Sequence, residues 1–150
     1  MSELSIDLSW SRQTPALRPG QIDNSHDIIF NAHHSVDGDA APDWGGTAMA
    51  VNPEQALAAS LSSCHMMTFL ALAAKAGWPV ATYSDHAEAF LGRNGDGMMA
   101  VTELKLAPRV TFDTGFDLPS GALDMMHERA HRYCFVAKAI SARMTVCPVY

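Results

Sequence analysis

Charge is the first thing this chain has little of. Charged residues make up 17% of its 150 positions, against 48% apolar, where a typical globular domain carries about 25% charged residues. A surface so poor in charge implies that part of it is covered, and a second copy of the chain is the simplest cover. Basic clusters are also lacking. The net charge is −6, and acidic residues dilute the densest basic stretch, Arg129, Arg132, Lys138 and Arg143. That argues against nucleic acid as a partner, since no face could neutralise phosphates. The opening MSELSIDLSW has neither a basic segment nor an apolar run, so no signal peptide is expected and a cytoplasmic location is. There is no internal repeat and no low-complexity segment. Cysteine is sparse, with three in the chain. In a reducing compartment thiols are more often reactive or metal-bound than structural staples.

What is present reads as one domain, 1–150, long enough to bury a core without disulfides or metals. Leu4, Ile6, Leu8 and Trp10 alternate with polar residues, which predicts a half-buried strand. Pro15, Pro19 and Gly20 mark the following loop. Residues 27–34 predict a second strand, and 37–46 (DGDAAPDWGG) a loop. Asn52-Pro53-Glu54 is a helix start, with Asn52 at the cap and Pro53 in the first helical position. Gly77 and Pro79 end that helix. Ala56 to Ala74 carries no charge, which raises the question of a membrane span. Ser60, Ser62, Ser63, His65, Thr68 and many alanines make it a poor span and a good core helix, buried on most faces.

Residues 82–91 and 98–112 predict two strands joined by the turn Asn94-Gly95-Asp96-Gly97. Leu118-Pro119-Ser120 opens a second helix to Tyr133, which could continue, bent, to Ile140; residues 142–149 predict a last strand. The expected order is β-β-α-β-β-α-β, with hairpin strands packed around a long central helix. That is an α+β fold.

The chemistry centres on Cys64. A cysteine on an apolar helix is usually an inert small core residue. Here Ser62, Ser63, His65 and Thr68 surround it, and polar groups on a buried helix need partners or a cavity. A reactive thiolate needs such donors. Cys134 lies far away in the sequence, in His131-Arg132-Tyr133-Cys134-Phe135-Val136-Ala137-Lys138, so only the fold can bring the two together. Cys147, near the end, reads as a bystander. Glu54 in the first helical turn complements the helix dipole, or acts as an orienting carboxylate.

The run Asn52-Pro53-Glu54 through Leu61-Ser62-Ser63-Cys64 resembles the segment around the peroxidatic cysteine of the OsmC/Ohr family, in which a Cys follows the Asn-Pro-Glu glutamate by ten residues. The segment Ala130 to Lys138 resembles the one carrying that family's resolving cysteine, and the element order agrees along nearly the whole chain. One departure is that the family often has Cys-Pro-Val-Ser where this chain has Cys134-Phe135-Val136-Ala137. Without the proline, the helix could run straight through Cys134.

The resemblance implies a cysteine-based peroxidase acting on organic hydroperoxides. Cys64 would attack the peroxide and become a sulfenic acid. Cys134 would condense with it to a disulfide, and a small dithiol or protein-bound lipoyl group would reset the pair. An arginine from the loop after the first strand, Arg12 or Arg18, would stabilise the thiolate, with Glu54 holding the guanidinium. No resident cofactor or metal is implied. Ten residues of straight helix span about 15 Å, so Glu54 and Cys64 could not meet in one chain unless the helix broke. An intertwined homodimer with active sites at its interface would solve this. Two other readings exist. His127, His131 and Cys134 share a helix face and, with Cys64 and His65, could hold a metal. Alternatively, a non-catalytic dimer of the same fold could bind a small apolar ligand.

Overall fold

The computed structural model describes residues 4–150. Its Cα packing divides the chain into two compact units, one ending at Ala56 and the other beginning at Leu57.

The first unit is a three-stranded antiparallel sheet of β1 (Asp7–Ser9), β2 (His26–Asn31) and β3 (His34–Gly38). The predicted first strand is real but short, and the third lies partly in the predicted loop. The alternation of Leu4, Ile6, Leu8 and Trp10 was expected to bury one face. Instead all four are exposed, Leu8 at 60% and Trp10 at 41%. The physical reason lies in the unit itself. Among the described residues, every buried apolar side chain lies at Ala58 or beyond, so this sheet has no core of its own to cover. Its buried anchor is polar: Asp39 accepts from the N–H groups of Ala40 (2.7 Å) and Thr47 (3.0 Å). A 3₁₀ turn, Pro42–Trp44, follows. Gly46 is fixed as glycine, because a Cβ there would sit 1.7 Å from the Ala40 carbonyl oxygen.

Helix α1 (Pro53–Lys75) starts as the sequence predicts. The Asn52 side chain accepts from the Gln55 N–H (2.8 Å), and the Gln55 side chain accepts from the Asn52 N–H (3.1 Å). This is a reciprocal cap. The chain leaves the helix through Gly77 at φ 74°, a left-handed position that suits glycine. The helix is unbroken along its length. It is long and apolar enough to cross a membrane by composition alone, but its buried stripe of Ala58, Leu61, His65, Phe69 and Ala73 packs in protein. Burial on most faces was expected. In the single chain only this stripe is buried, and Ala59, Ser60, Ser63 and Met67 are exposed.

The two long strands predicted after the helix each break in two. The first becomes β4 (Val80–Ser84) and β5 (Glu88–Arg93), and the second becomes β6 (Met99–Leu106) and β7 (Arg109–Phe112). Pro108 explains the second break, since proline cannot donate to a ladder. Asp85 holds the first: its carboxylate accepts from the Ala107 N–H (2.7 Å) and from the Ser62 hydroxyl. The two breaks lie side by side, so the hairpin divides into a β4–β7 pair and a β5–β6–β8 sheet. The predicted turn at Asn94 survives, with the Asn94 side chain accepting from the N–H groups of Asp96 and Met98.

Helix α2 (Ala122–Tyr133) and short helix α3 (Phe135–Ala139) replace the single bent helix, and β8 (Arg143–Val146) runs parallel to β6. That one pairing is parallel because β8 returns through a helical crossover; the fold is otherwise the antiparallel α+β arrangement expected. Two core clusters share α1. Its first half packs Ala58 and Leu61 with Leu104, Leu106, Cys134 and Ala137. Its second half packs Phe69 and Ala73 with Leu123, Met126 and Ala130.

Asp85→Ala leaves the Ala107 N–H without its acceptor and frees the Ser62 hydroxyl. A part-buried donor left without its acceptor costs about 1–2 kcal/mol. The expected result is a lower urea midpoint with an unchanged slope. A loss under about 0.5 kcal/mol would mean that Asp85 does not hold the β4–β5 break.

Candidate active site

Cys64 and Cys134 meet, although the sequence holds them far apart. Cys64 is half-buried on α1 and, like Val136, packs against the cluster that contains Cys134 and Ala137. Cys134 is wholly buried, at 0% exposure. Both are free thiols.

The helix does not run through Cys134 despite the missing proline. Cys134 adopts extended backbone, φ −70° and ψ 119°, closing α2 and opening α3. Its sulfur caps α3 by accepting from the Ala137 N–H (3.4 Å). Burial of that sulfur beside Leu61, Leu104 and Leu106 accompanies the break, and the cap satisfies one of the amide groups that a new helix start leaves unpaired.

The two thiols are driven in opposite directions. Burial pushes the Cys64 thiol up. The backbone N–H of Val136, the Cys134 side chain, the backbone N–H of Phe135 and the Thr68 side chain together outweigh it and hold the thiol below its ordinary value. Burial pushes the Cys134 thiol up, and its hydrogen bond to Cys64 pushes it further, against a smaller opposing effect of the Ala137 N–H. Cys64 is therefore the group that favours the thiolate, and Cys134 the one that keeps its proton. Thr68 also donates to the Cys64 carbonyl (2.8 Å), which fixes its side chain one turn along from the sulfur.

The charged residues expected beside Cys64 are less concentrated. Glu54 sits half-buried in the first turn of α1, and because α1 is continuous it lies about 15 Å from Cys64 along the axis. Arg12 and Arg18 are both exposed. Among the described residues neither forms an ion pair with Glu54. Cys147 is exposed beyond the end of β8. The arrangement also tells against the metal reading. No group of three or more His, Cys, Asp or Glu side chains is placed to hold an ion among the described residues. His127 faces His65 rather than Cys134: His65 Nε2 and His127 Nδ1 are 3.0 Å apart, and the rings stack with 7° between their planes.

That histidine pair was not legible from spacing. Both rings are buried, at 0% and 2% exposure, between the two core clusters. Among the described residues, His65 Nδ1 and His127 Nε2 have no hydrogen-bond partner. Burial lowers each to about 4, helped by the charge of His131 in the case of His65 and of His65 in the case of His127. The main-chain donors around Cys64 were also missed. The signal available was the reading of Cys134 itself, since a helix that stops there must open a new one and expose its first amides.

The sequence model of the OsmC-like protein family matches residues 45–147. An OsmC-like protein of unknown function from Vibrio cholerae is 32% identical, with a TM-score of 0.91 over 99% of this chain and 100% of that one. An organic hydroperoxide resistance protein from Bacillus subtilis has a TM-score of 0.70 at 17% identity, over 99% and 100% of the two chains. One from Elizabethkingia anophelis has a TM-score of 0.68 at 18% identity, over 97% and 96%. These last two are similar in fold alone. No curated protein matches the chain.

The histidine pair makes stability depend on pH. Each ring titrates near 6.5 when unfolded and near 4 when folded, so below pH 6.5 the unfolded chain binds more protons than the folded one. The contribution is therefore complete above pH 6.5 and is lost as pH falls towards 4, by on the order of 3 kcal/mol. Urea midpoints should fall from pH 7 to pH 5, and His127→Gln should flatten that fall. A midpoint constant across this window would contradict the burial of uncharged rings.

Proposed function

This chain belongs to the OsmC-like family, and from that premise we propose that it is a cysteine-based peroxidase that reduces organic hydroperoxides. The family includes organic hydroperoxide resistance proteins. The observation that carries the reading is the asymmetry of the sulfur pair: Cys64 favours the thiolate, while Cys134, in contact with it, retains its proton.

In this reading the Cys64 thiolate attacks the terminal oxygen of R–O–O–H. The S–O bond forms as the O–O bond breaks, and the alkoxide leaves and is protonated to the alcohol. Cys64 is then a sulfenic acid. Cys134 attacks its sulfur, the S–S bond forms, and the hydroxyl leaves as water with the Cys134 proton. Each turn oxidises the two thiols by two electrons, which a small dithiol or lipoyl-type reductant returns through thiol–disulfide exchange.

The working unit we propose is a homodimer in the cytoplasm. Three observations support a covering partner. The N-terminal sheet has no core of its own among the described residues. The charged fraction is low. The unbroken α1 keeps Glu54 from reaching Cys64 in one chain. Glu54, with Arg12 or Arg18, would complete the site at the dimer interface, the guanidinium serving the Cys64 thiolate and the carboxylate orienting it.

A thiol count before and after one equivalent of an organic hydroperoxide tests this. The wild type should lose two thiols rapidly. Cys64→Ser should lose none, and Cys134→Ser should overoxidise at Cys64. A wild type that keeps all three thiols for many minutes is no peroxidase, and ligand binding would take its place.

A further inference from the structure

Helix α2 sets Asp124, His127, Glu128 and His131 along one side, at steps of three and four residues. Together they form one wall of a cavity of about 410 Å³, and Met144 and Val146 of β8 line another. Sites for small molecules usually measure about 300–1,000 Å³. Neither Cys64 nor Cys134 lines this cavity, so its reading does not rest on the peroxidase proposal. The deepest polar group is His127, 2% exposed, whose Nε2 has no hydrogen-bond partner among the described residues. The ring is not free to turn in search of one. Its Nδ1 is 3.0 Å from His65 Nε2, and its face stacks on Phe69 with centroids 4.5 Å apart. Nε2 is therefore the ring nitrogen left to face the cavity. Asp124 and Glu128 are exposed, at the solvent side of the same wall, and the Tyr150 hydroxyl steadies Asp124 by donating to it (2.8 Å).

We propose that this cavity binds a small organic amine that carries a hydroxyl group. The ammonium pairs with Asp124 and Glu128 at the rim, the apolar body lies against Met144 and Val146, and the hydroxyl bonds His127 Nε2. A hydroxyl suits that atom in either tautomer, because it can donate or accept. The charge of the lining selects a cation: no lysine or arginine lines the cavity, and two carboxylates without a facing cation disfavour an anion. His127 adds no positive charge at neutral pH, since burial lowers it to about 4. The run His127-Glu128-Arg129-Ala130-His131 has the spacing of helical zinc sites. Among the described residues, however, no three such groups are placed to hold an ion, and an ion would leave the apolar wall unused.

Calorimetric titration of the full chain with three matched probes tests this. Tyramine has both polar groups, phenethylamine lacks the hydroxyl, and para-ethylphenol lacks the ammonium. Tyramine should bind with a Kd below about 1 mM. Phenethylamine should bind about three- to ten-fold more weakly, and para-ethylphenol about ten-fold or more. Glu128→Gln changes an exposed side chain and should weaken tyramine about ten-fold. Asp96→Asn, at an exposed carboxylate in the Asn94 turn, should leave tyramine affinity unchanged. In the wild type the Nε2 resonance of His127 should move more with tyramine than with phenethylamine. No binding of tyramine, equal affinity for the three probes, equal loss in the two variants, or an Nε2 resonance indifferent to tyramine overturns the proposal. So does a zinc ion that stays with the dialysed protein and blocks tyramine. No thiol and no peroxide enters these measurements, so their outcome and that of the thiol count are independent.

Discussion

Everything in the larger unit depends on one face of one helix. Ala58, Leu61, His65, Phe69 and Ala73 recur every three or four residues along α1 and form its buried stripe. The first half of the stripe meets the β5–β6–β8 sheet and α3, and the second half meets the β4–β7 pair and α2. A helix of 23 residues is needed to serve both, and a kink would separate the two clusters. Cys64 stands next to this stripe and not on it, which leaves the residue half-buried and packed on the first cluster. A residue later, the same helix buries an imidazole completely. The half-buried thiol and the fully buried imidazole differ by one step of helical rotation, about 100°.

The Cys134 junction is the second constraint. Two helices meet there through a single extended residue, and that residue's sulfur both caps the second helix and lies in the first core cluster. The backbone N–H groups of Phe135 and Val136, at the start of α3, favour the charged form of Cys64. The pair's electronic asymmetry is thus a product of backbone direction more than of charged side chains; Arg12, Arg18 and Glu54 form no ion pair with one another among the described residues.

Much of this was legible in the sequence where the signal is local. The Asn52 cap, the Gly77 exit and the Asn94 turn depend on neighbours a few residues away, and each appears where its residues predict. The family was legible through the resemblance of the two cysteine segments. What was not legible depends on long-range partners. Asp85 ends a strand because Ala107 and Ser62 reach it from other elements. His65 and His127 pair across two helices, and nothing in either segment marks the other. The helix break at Cys134 carries no proline, so no local breaker announced it; the sulfur's place in the core accompanies it. The exposed Leu8 and Trp10 obey the strand alternation that predicted them, but alternation says which residues share a face and not whether anything lies against that face.

The complete burial of Cys134 sets a direction of traffic. Cys64 is half-buried and Cys134 wholly buried, so bulky electrophiles and oxidants from solution meet the outer thiol first. Were the two joined, an incoming reductant would find only the outer sulfur within reach and would have to expel the inner one. That inner thiol is the poorer leaving group of the pair, because its environment resists the thiolate. In the proposed cycle, access and leaving-group strength therefore oppose each other, and the return would be the slow half.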